Sequence, residues 1–243
     1  LSGWFFGVGG ILAAVFLTAL AIDPIYIIIG IALIYGIIIL FNSYKIHWDI
    51  YAVVYFAGSF ILLCGLAYGS PKILEKMPKH QRERIEVLYK GEKAFRDTSG
   101  YNLLYSKTAI GSGGFFGKGY KEGSVTQGKF VPEQETDYIF CTVGEEWGFF
   151  GASVLILFYT IFIGRIYYLS EQQKSTFNRV FGYCFASILL MHFAINLGMV
   201  MGLFPTVGIP LPFFSYGGSS FLAFSIMTFI FFKLNYTDRN SLV

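Results

Sequence analysis

Long apolar stretches with few charges dominate the pattern of hydrophobic and polar positions. Six of them approach or exceed the roughly 20 residues with which a helix crosses a bilayer. They cover residues 4–22, 24–41, 49–69, 138–164, 180–204 and 212–234. Because the bilayer core offers no partners to unpaired backbone groups, each stretch is predicted to be helical. The pattern predicts an all-α polytopic membrane protein with about six transmembrane helices and one long extracytoplasmic loop.

The composition supports this prediction. Only 14% of the residues are charged, whereas soluble domains carry about 25%. The net charge of +3 is modest and gives no indication of nucleic-acid binding. The chain begins at Leu1 without a start methionine, so we expect it to be an N-terminally truncated fragment of a longer protein.

The spans divide the chain into four parts. Residues 1–69 hold three predicted transmembrane helices, 70–137 the long loop, 138–236 three further helices, and 237–243 a cytoplasmic tail. Short cytoplasmic loops carry an excess of Lys and Arg. The cations of the short loops share one side if both ends are cytoplasmic; they are Lys45, Arg165, Lys174, Arg179, Lys233 and Arg239. This places the long loop outside the cell.

The glycine-rich segment 111–123, "GSGGFFGKGYKEG", does not have the spacing of a phosphate-binding loop. Two interpretations remain. The segment is a tightly turning loop, or its backbone approaches a phosphate-bearing lipid with Lys118 and Lys121 nearby. In "HQRER", residues 80–84, Arg82 and Arg84 likewise form either a solvated face or an anion grip.

Acidic residues surround the start of the fourth predicted span. Glu133, Glu135 and Asp137 precede it, and Glu145 and Glu146 lie within it. Two consecutive glutamates point about 100° apart on a helix, so a polar interior is expected there. Asp137 is either a helix N-cap or a catalytic base, and the residues alone leave both open.

Two features near the last spans are expected to be structural. His192 and Asn196 lie one turn apart in the fifth predicted span, where a polar pair is expected to face the bundle interior and join helices. The proline-rich segment "LFPTVGIPLPFFSYGG" predicts a rigid extended corner packed under the external loop.

Three stretches, "GSGGFFGKG", "FVPEQETDYIFCTVGEEWGFFG" and "NLGMVMGLFPTVGIPLPFFSYGGSS", resemble in order the SEDS family (shape, elongation, division and sporulation). The resemblance covers about residues 79–236 and is closer to the rod-shape branch than to the division branch. It implies an inverting peptidoglycan glycosyltransferase of the bacterial cytoplasmic membrane. The implied substrate is lipid II, the undecaprenyl-diphosphate-linked disaccharide pentapeptide, polymerised at the outer face. The implied partners are a class B penicillin-binding protein transpeptidase and other membrane proteins of the elongation complex.

The resemblance also assigns residues. Asp137 matches the essential acid of the family and is expected to be the general base. Residues expected to bind substrate are Gln81, Arg82, Arg84, Lys118, Glu133, Glu145 and Glu146. A divalent cation, Mg²⁺ or Mn²⁺, is a further expectation. The chain departs from the pattern at Glu135, where members usually have histidine, and at residues 1–48, which are expected to be a lineage-specific insertion.

Two other functions compete with glycosyl transfer. A lipid II flippase would use Glu145, Glu146 and His192 as a polar path through the membrane. A scaffold that only recruits other cell-wall enzymes would not depend on Asp137.

Overall fold

The computed structural model describes residues 15, 18, 23–42, 50–98 and 100–240. Within these residues the chain is all-α, as predicted, and no strand occurs. The helices of this part are α1 Pro24–Asn42, α2 Ile50–Lys76, α3 Lys79–Lys90, α4 Gly100–Ser112, α5 Ser124–Gln127, α6 Ile139–Glu146, α7 Gly148–Glu171, α8 Thr176–Met201 and α9 Gly218–Asn240, with a 3₁₀ helix at Glu92–Phe95. The predicted span 4–22 lies outside the described residues.

Four helices of the described part are long and apolar enough to cross a membrane. These segments are Phe56–Lys76 in α2, all of α7, all of α8, and Gly218–Asp238 in α9. Pro24–Ile37 in α1 is a shorter apolar helix. The prediction of a polytopic membrane protein is confirmed.

Helix α2 continues seven residues past its predicted end at residue 69, through Pro71 to Lys76. Proline inside a helix removes one backbone hydrogen bond to the carbonyl four residues earlier, here the carbonyl of Ala67. The hydroxyl of Ser70 donates to that same carbonyl at 3.3 Å. The preceding serine thus compensates for the proline, and the helix does not end there.

The fourth predicted span, 138–164, is not one helix. It is divided at Trp147 into the short α6 and the long α7. Gly148 has φ +64°, a backbone conformation that favours glycine. The carbonyls of Gly114 and Phe115 accept hydrogen bonds from the N–H groups of Phe149 and Phe150 at 2.9 and 3.0 Å. Because the first N–H groups of a helix have no partner inside it, the glycine-rich loop completes the start of α7.

The segment between α8 and α9 is not helical over 205–211, which agrees with the predicted corner. Gly202, at φ +78°, ends α8 in the left-handed conformation typical of helix C-termini. Residues 212–217, which were predicted to begin the last span, remain outside α9. Leu211 N donates to Ser215 Oγ at 2.8 Å, and the Tyr159 hydroxyl donates to the Pro212 carbonyl.

The chain forms two compact units, Leu1–Lys90 and Gly91–Val243. In the first unit α1 packs on α2, and the hydroxyl of Tyr35 donates to Ser59 Oγ at 2.8 Å. In the second unit α8 packs against α4, α6, α7 and α9. Its core is apolar, with Phe185, Leu189 and Met199 of α8 almost completely buried.

Candidate active site

Asp137 lies in a turn immediately before α6. Its backbone N–H donates to the Glu133 carbonyl at 3.1 Å. The residue at the N-cap of α6 is Tyr138, and no side chain caps this helix. The interpretation of Asp137 as a helix N-cap is therefore wrong, and its carboxylate is left for another role.

The carboxylate of Asp137 is half-buried against the corner that precedes α9. A Cβ atom placed on Gly208 would come within 2.9 Å of Asp137 Oδ2. Gly208 also has φ +77°, so both its backbone and the space around it favour glycine. At Gly208 the corner therefore approaches the Asp137 carboxylate with backbone atoms alone.

Burial raises the pKa of Asp137 above its ordinary value of 3.8, and the nearby charge of Glu133 raises it further. A hydrogen bond from Thr136 acts in the opposite direction without cancelling the increase. A carboxylate with a raised pKa is a better proton acceptor than an ordinary one. The electrostatics therefore suit general-base chemistry at Asp137.

An open cleft of about 550 Å³ begins beside this acid, at Thr136. Clefts of this size accommodate small ligands or parts of larger ones. Its lining is mainly polar: Thr126, Gln127, Lys129, Val131, Pro132, Glu133, Gln134, Glu135, Thr136 and Tyr216. Tyr216 N donates to the Glu135 carbonyl at 2.8 Å, which connects the end of the corner to the segment that contains Glu133, Glu135 and Asp137.

Glu145 is fully buried, and its carboxylate forms a latch between α6 and the loop that precedes it. Lys118 Nζ lies 2.7 Å from its Oε1. The N–H groups of Val125 and Thr126 donate to its two oxygens at 3.0 and 2.8 Å. Burial raises the pKa of Glu145, but these hydrogen bonds outweigh burial and lower the pKa to about 2. The geometry favours a structural role for Glu145 and Lys118, and their predicted contacts with substrate stay untested.

The glycine-rich loop packs backbone to backbone against α6. Lys118 N and Gly119 N donate to the carbonyls of Glu145 and Glu146, both at 3.0 Å. A Cβ on Gly117 would lie 2.1 Å from the Glu146 carbonyl oxygen, and one on Gly113 would lie 2.0 Å from that of Gly144. These close approaches explain the glycines, and they favour the tightly turning loop over a lipid-phosphate nest. The side chain of Glu146 itself is almost buried.

The other residues that the sequence offered as contacts for substrate or phosphate are distributed over both units. Gln81, Arg82 and Arg84 lie on α3 in the first unit, where Arg82 Nε is 3.5 Å from Glu86 Oε1. Lys121, in the second unit, lies exposed beside the ring of Tyr120. Their roles in substrate binding stay predictions.

Sequence reasoning placed Asn196 in the bundle interior, and this is confirmed, since the residue is fully buried. It did not foresee what the side chain holds. Asn196 Nδ2 donates to the carbonyls of Asp137 and Ile209 at 2.9 and 2.7 Å. His192 lies one turn earlier, with Nδ1 3.4 Å from the Pro210 carbonyl oxygen. Gly208 was also missed, because a glycine among apolar residues carries no signal of an approach from a distant acid.

The fold and the site define a polytopic, all-α membrane protein with a half-buried acid beside an open polar cleft. The chain belongs to the "Cell cycle protein" family of FtsW, RodA and SpoVE, whose model matches residues 2–240.

Relatives of this chain include three named peptidoglycan glycosyltransferases. MrdB of Escherichia coli (strain K12) is 40% identical over 146 residues, 60% of this chain and 39% of that protein. RodA of Treponema pallidum (strain Nichols) is 31% identical over 173 residues, 71% of this chain and 40% of that protein. MrdB of Helicobacter pylori (strain J99 / ATCC 700824) is 37% identical over 170 residues, 68% of this chain and 42% of that protein. The match thus spans about two fifths of each relative.

A solved structure described as "Structural coordination of polymerization and crosslinking by a peptidoglycan synthase complex" has the same fold. The two chains superpose with a TM-score of 0.57 at 21% sequence identity. The match covers 95% of this chain and 68% of that one.

Proposed function

We propose that this chain forms the catalytic part of a peptidoglycan glycosyltransferase that polymerises lipid II at the outer face of the cytoplasmic membrane. Its relatives carry the name peptidoglycan glycosyltransferase. The observation that carries the proposal is Asp137, a half-buried carboxylate with a raised pKa next to a cleft of about 550 Å³. Cleft and acid together supply a place for a sugar and a proton acceptor.

The proposed reaction is a single displacement. The Asp137 carboxylate takes the proton from the 4-hydroxyl of the acceptor's glucosamine, and this oxygen attacks the donor's anomeric carbon. A new glycosidic C–O bond forms as the bond between that carbon and the diphosphate breaks. The diphosphate-lipid leaves with the electron pair, and the anomeric configuration inverts.

The departing diphosphate needs positive charge. Arg82 and Arg84 are proposed to supply it, since guanidinium groups suit bidentate contacts with phosphate oxygens. Lys118 is less available because its ammonium is paired with Glu145. The described residues contain no group of three or more His, Cys, Asp or Glu side chains that could hold a metal. The divalent cation stays a prediction, and no step is derived through one.

The test is polymerisation of lipid II by the purified full-length protein with its proposed partner, a class B penicillin-binding protein transpeptidase. Asp137→Asn keeps the shape of the side chain and removes the base, so glycan strands are expected to be lost at unchanged expression. Asp97→Asn, the same change at an exposed turn residue of the same unit, is the matched control and should retain activity. Full polymerisation by the Asp137→Asn protein would refute the assignment.

The same preparation separates the other two functions. A flippase would move labelled lipid II across vesicle membranes whether or not strands form, and a scaffold would support its partner without Asp137. The position of Glu145 argues against a transport path, because its carboxylate is fully buried and accepts hydrogen bonds from Lys118, Val125 and Thr126. It also lies before the membrane-crossing α7 and not inside it.

A further inference from the structure

We propose that Asn196 is a positioning residue for the reaction, because its amide joins the backbone of Asp137 to the corner that forms the wall against the Asp137 carboxylate. The inference rests on the proposed function and deepens it. Asn196 touches neither substrate nor reacting atoms in this proposal, and it acts only through Asp137.

Both N–H donors of the Asn196 side chain take part in this connection. An asparagine amide has two N–H hydrogens, and Asn196 Nδ2 donates to the carbonyls of Asp137 at 2.9 Å and Ile209 at 2.7 Å. The residue is fully buried on α8. A buried amide with two short bonds to two distant chain segments fixes the separation of those segments.

The second hydrogen bond, to the Ile209 carbonyl, holds the corner that faces the Asp137 carboxylate. Ile209 follows Gly208, and Gly208 is the residue whose missing Cβ leaves room for Asp137 Oδ2. Asn196 therefore holds the backbone of Asp137 and the corner that faces its carboxylate at the same time. A change in these two hydrogen bonds alters the distance between Asp137 and the corner, and with it the orientation of the carboxylate.

The corner does not depend on Asn196 for its fold. It has two other attachments, from the Tyr159 hydroxyl to the Pro212 carbonyl and from Tyr216 N to the Glu135 carbonyl. Within the corner, Leu211 N donates to Ser215 Oγ. Loss of the amide is therefore expected to disturb the local geometry of Asp137 more than the stability of the unit. A misplacement of about 1 Å can lower turnover about 100-fold.

The experiment compares two substitutions in the full-length protein. Asn196→Ala removes the amide. Asn196→Asp keeps its volume but sets carboxylate oxygens against the two carbonyls. The matched control is Asn178→Ala on the same helix, where Asn178 Nδ2 donates to Asp238 Oδ1 at 3.3 Å. We expect both Asn196 variants to lower kcat for lipid II polymerisation by about 10- to 100-fold, with KM close to the parent value. Tm should stay close to the parent value in Asn196→Ala and fall in Asn196→Asp, which buries a carboxylate against two carbonyls. The control should retain its kcat.

Several results would overturn the proposal. One is a kcat within about twofold of the parent in both Asn196 variants. Another is a kcat loss matched by a rise in KM and a fall in Tm, which marks a structural residue only. If Asn196→Ala does not fold, Gly208→Ala tests whether the gap between the corner and the Asp137 carboxylate matters, since its Cβ would lie 2.9 Å from Asp137 Oδ2. An unchanged kcat there also refutes the proposal. The Asp137→Asn protein separates the two proposals. If it remains active, the assignment of Asp137 as the base has failed, and if it is inactive, the Asn196 result stands on its own.

Discussion

Replacement of Glu145 by glutamine tests whether the buried latch stabilises the loop before α6 through its charge. The folded pKa is about 2 and the ordinary value is 4.5, a difference of about 2.5. At about 1.4 kcal/mol per pKa unit, the ionised carboxylate contributes about 3 kcal/mol. Glutamine keeps the shape but loses the charge and one acceptor oxygen, and it leaves the Lys118 ammonium without its partner.

The direction of the pKa shift determines how the free energy of unfolding depends on pH. Because the pKa is lowered on folding, the stabilisation is fully present above about pH 4.5 and is lost as the pH falls through about 2. The free energy of unfolding of Glu145→Gln should therefore lie about 3 kcal/mol below that of the parent protein at pH 7. The difference should shrink as both are brought towards pH 2.

The assay is thermal or denaturant unfolding of the purified protein in detergent across this pH range. Glu122→Gln, the same change at an exposed loop position, is the control and should have little effect. The double variant Lys118→Met/Glu145→Gln should recover part of the loss, since it removes both charges of the pair. A difference between parent and Glu145→Gln that stays constant from pH 7 to pH 2.5 would refute the reasoning.

Two further predictions concern the loop and the proposed base. Gly117→Ala should destabilise the loop, because its Cβ would lie 2.1 Å from the Glu146 carbonyl oxygen, at a residue with φ +81°. Gly111→Ala is the control and should not, because its Cβ meets no atom within 4 Å. Melting curves of the two variants measure the difference, and equal Tm values would contradict the prediction. In the pH profile of kcat/KM, which reports the free enzyme, the acid limb should lie above the ordinary Asp value of 3.8, because burial and Glu133 raise the pKa of Asp137. Glu133→Gln should move that limb to lower pH, and an unmoved limb would exclude the influence of Glu133.

The helical character of the chain and most of its spans could be predicted from the sequence, since long apolar runs near a membrane leave few alternatives to a helix. The exceptions have local causes. The predicted span ended at residue 69, but the helix continues through Pro71, since the Ser70 hydroxyl donates to the carbonyl that the proline leaves unpaired. The break at Trp147 was invisible because nothing in the apolar run indicates that carbonyls from residues 114 and 115 complete the start of α7.

The candidate site was predictable in its residues but not in their relations. Family resemblance selected Asp137, and the geometry places its carboxylate against Gly208, while the preceding residue Thr136 lines a cleft. The same resemblance predicts Glu145 and Lys118 as substrate contacts, which stays a prediction, and in the structure the two side chains form an ion pair. A sequence names charged residues without indicating which of them neutralise each other. The bridge from Asn196 to Asp137 spans 59 positions, and no periodicity within a helix reports such a contact.

The Glu145 latch also has a consequence for how the protein is made. Every group that donates a hydrogen bond to its carboxylate precedes it in the chain; they are Ser112, Lys118, Ser124, Val125 and Thr126. The earliest of them is 33 residues upstream, which is a few seconds of synthesis at about 5–20 residues per second. The loop therefore cannot lock until translation has passed Glu145, just before the ribosome produces the membrane segment α7. The hydrogen bonds that hold this loop are thus completed by a residue that is made after the loop itself.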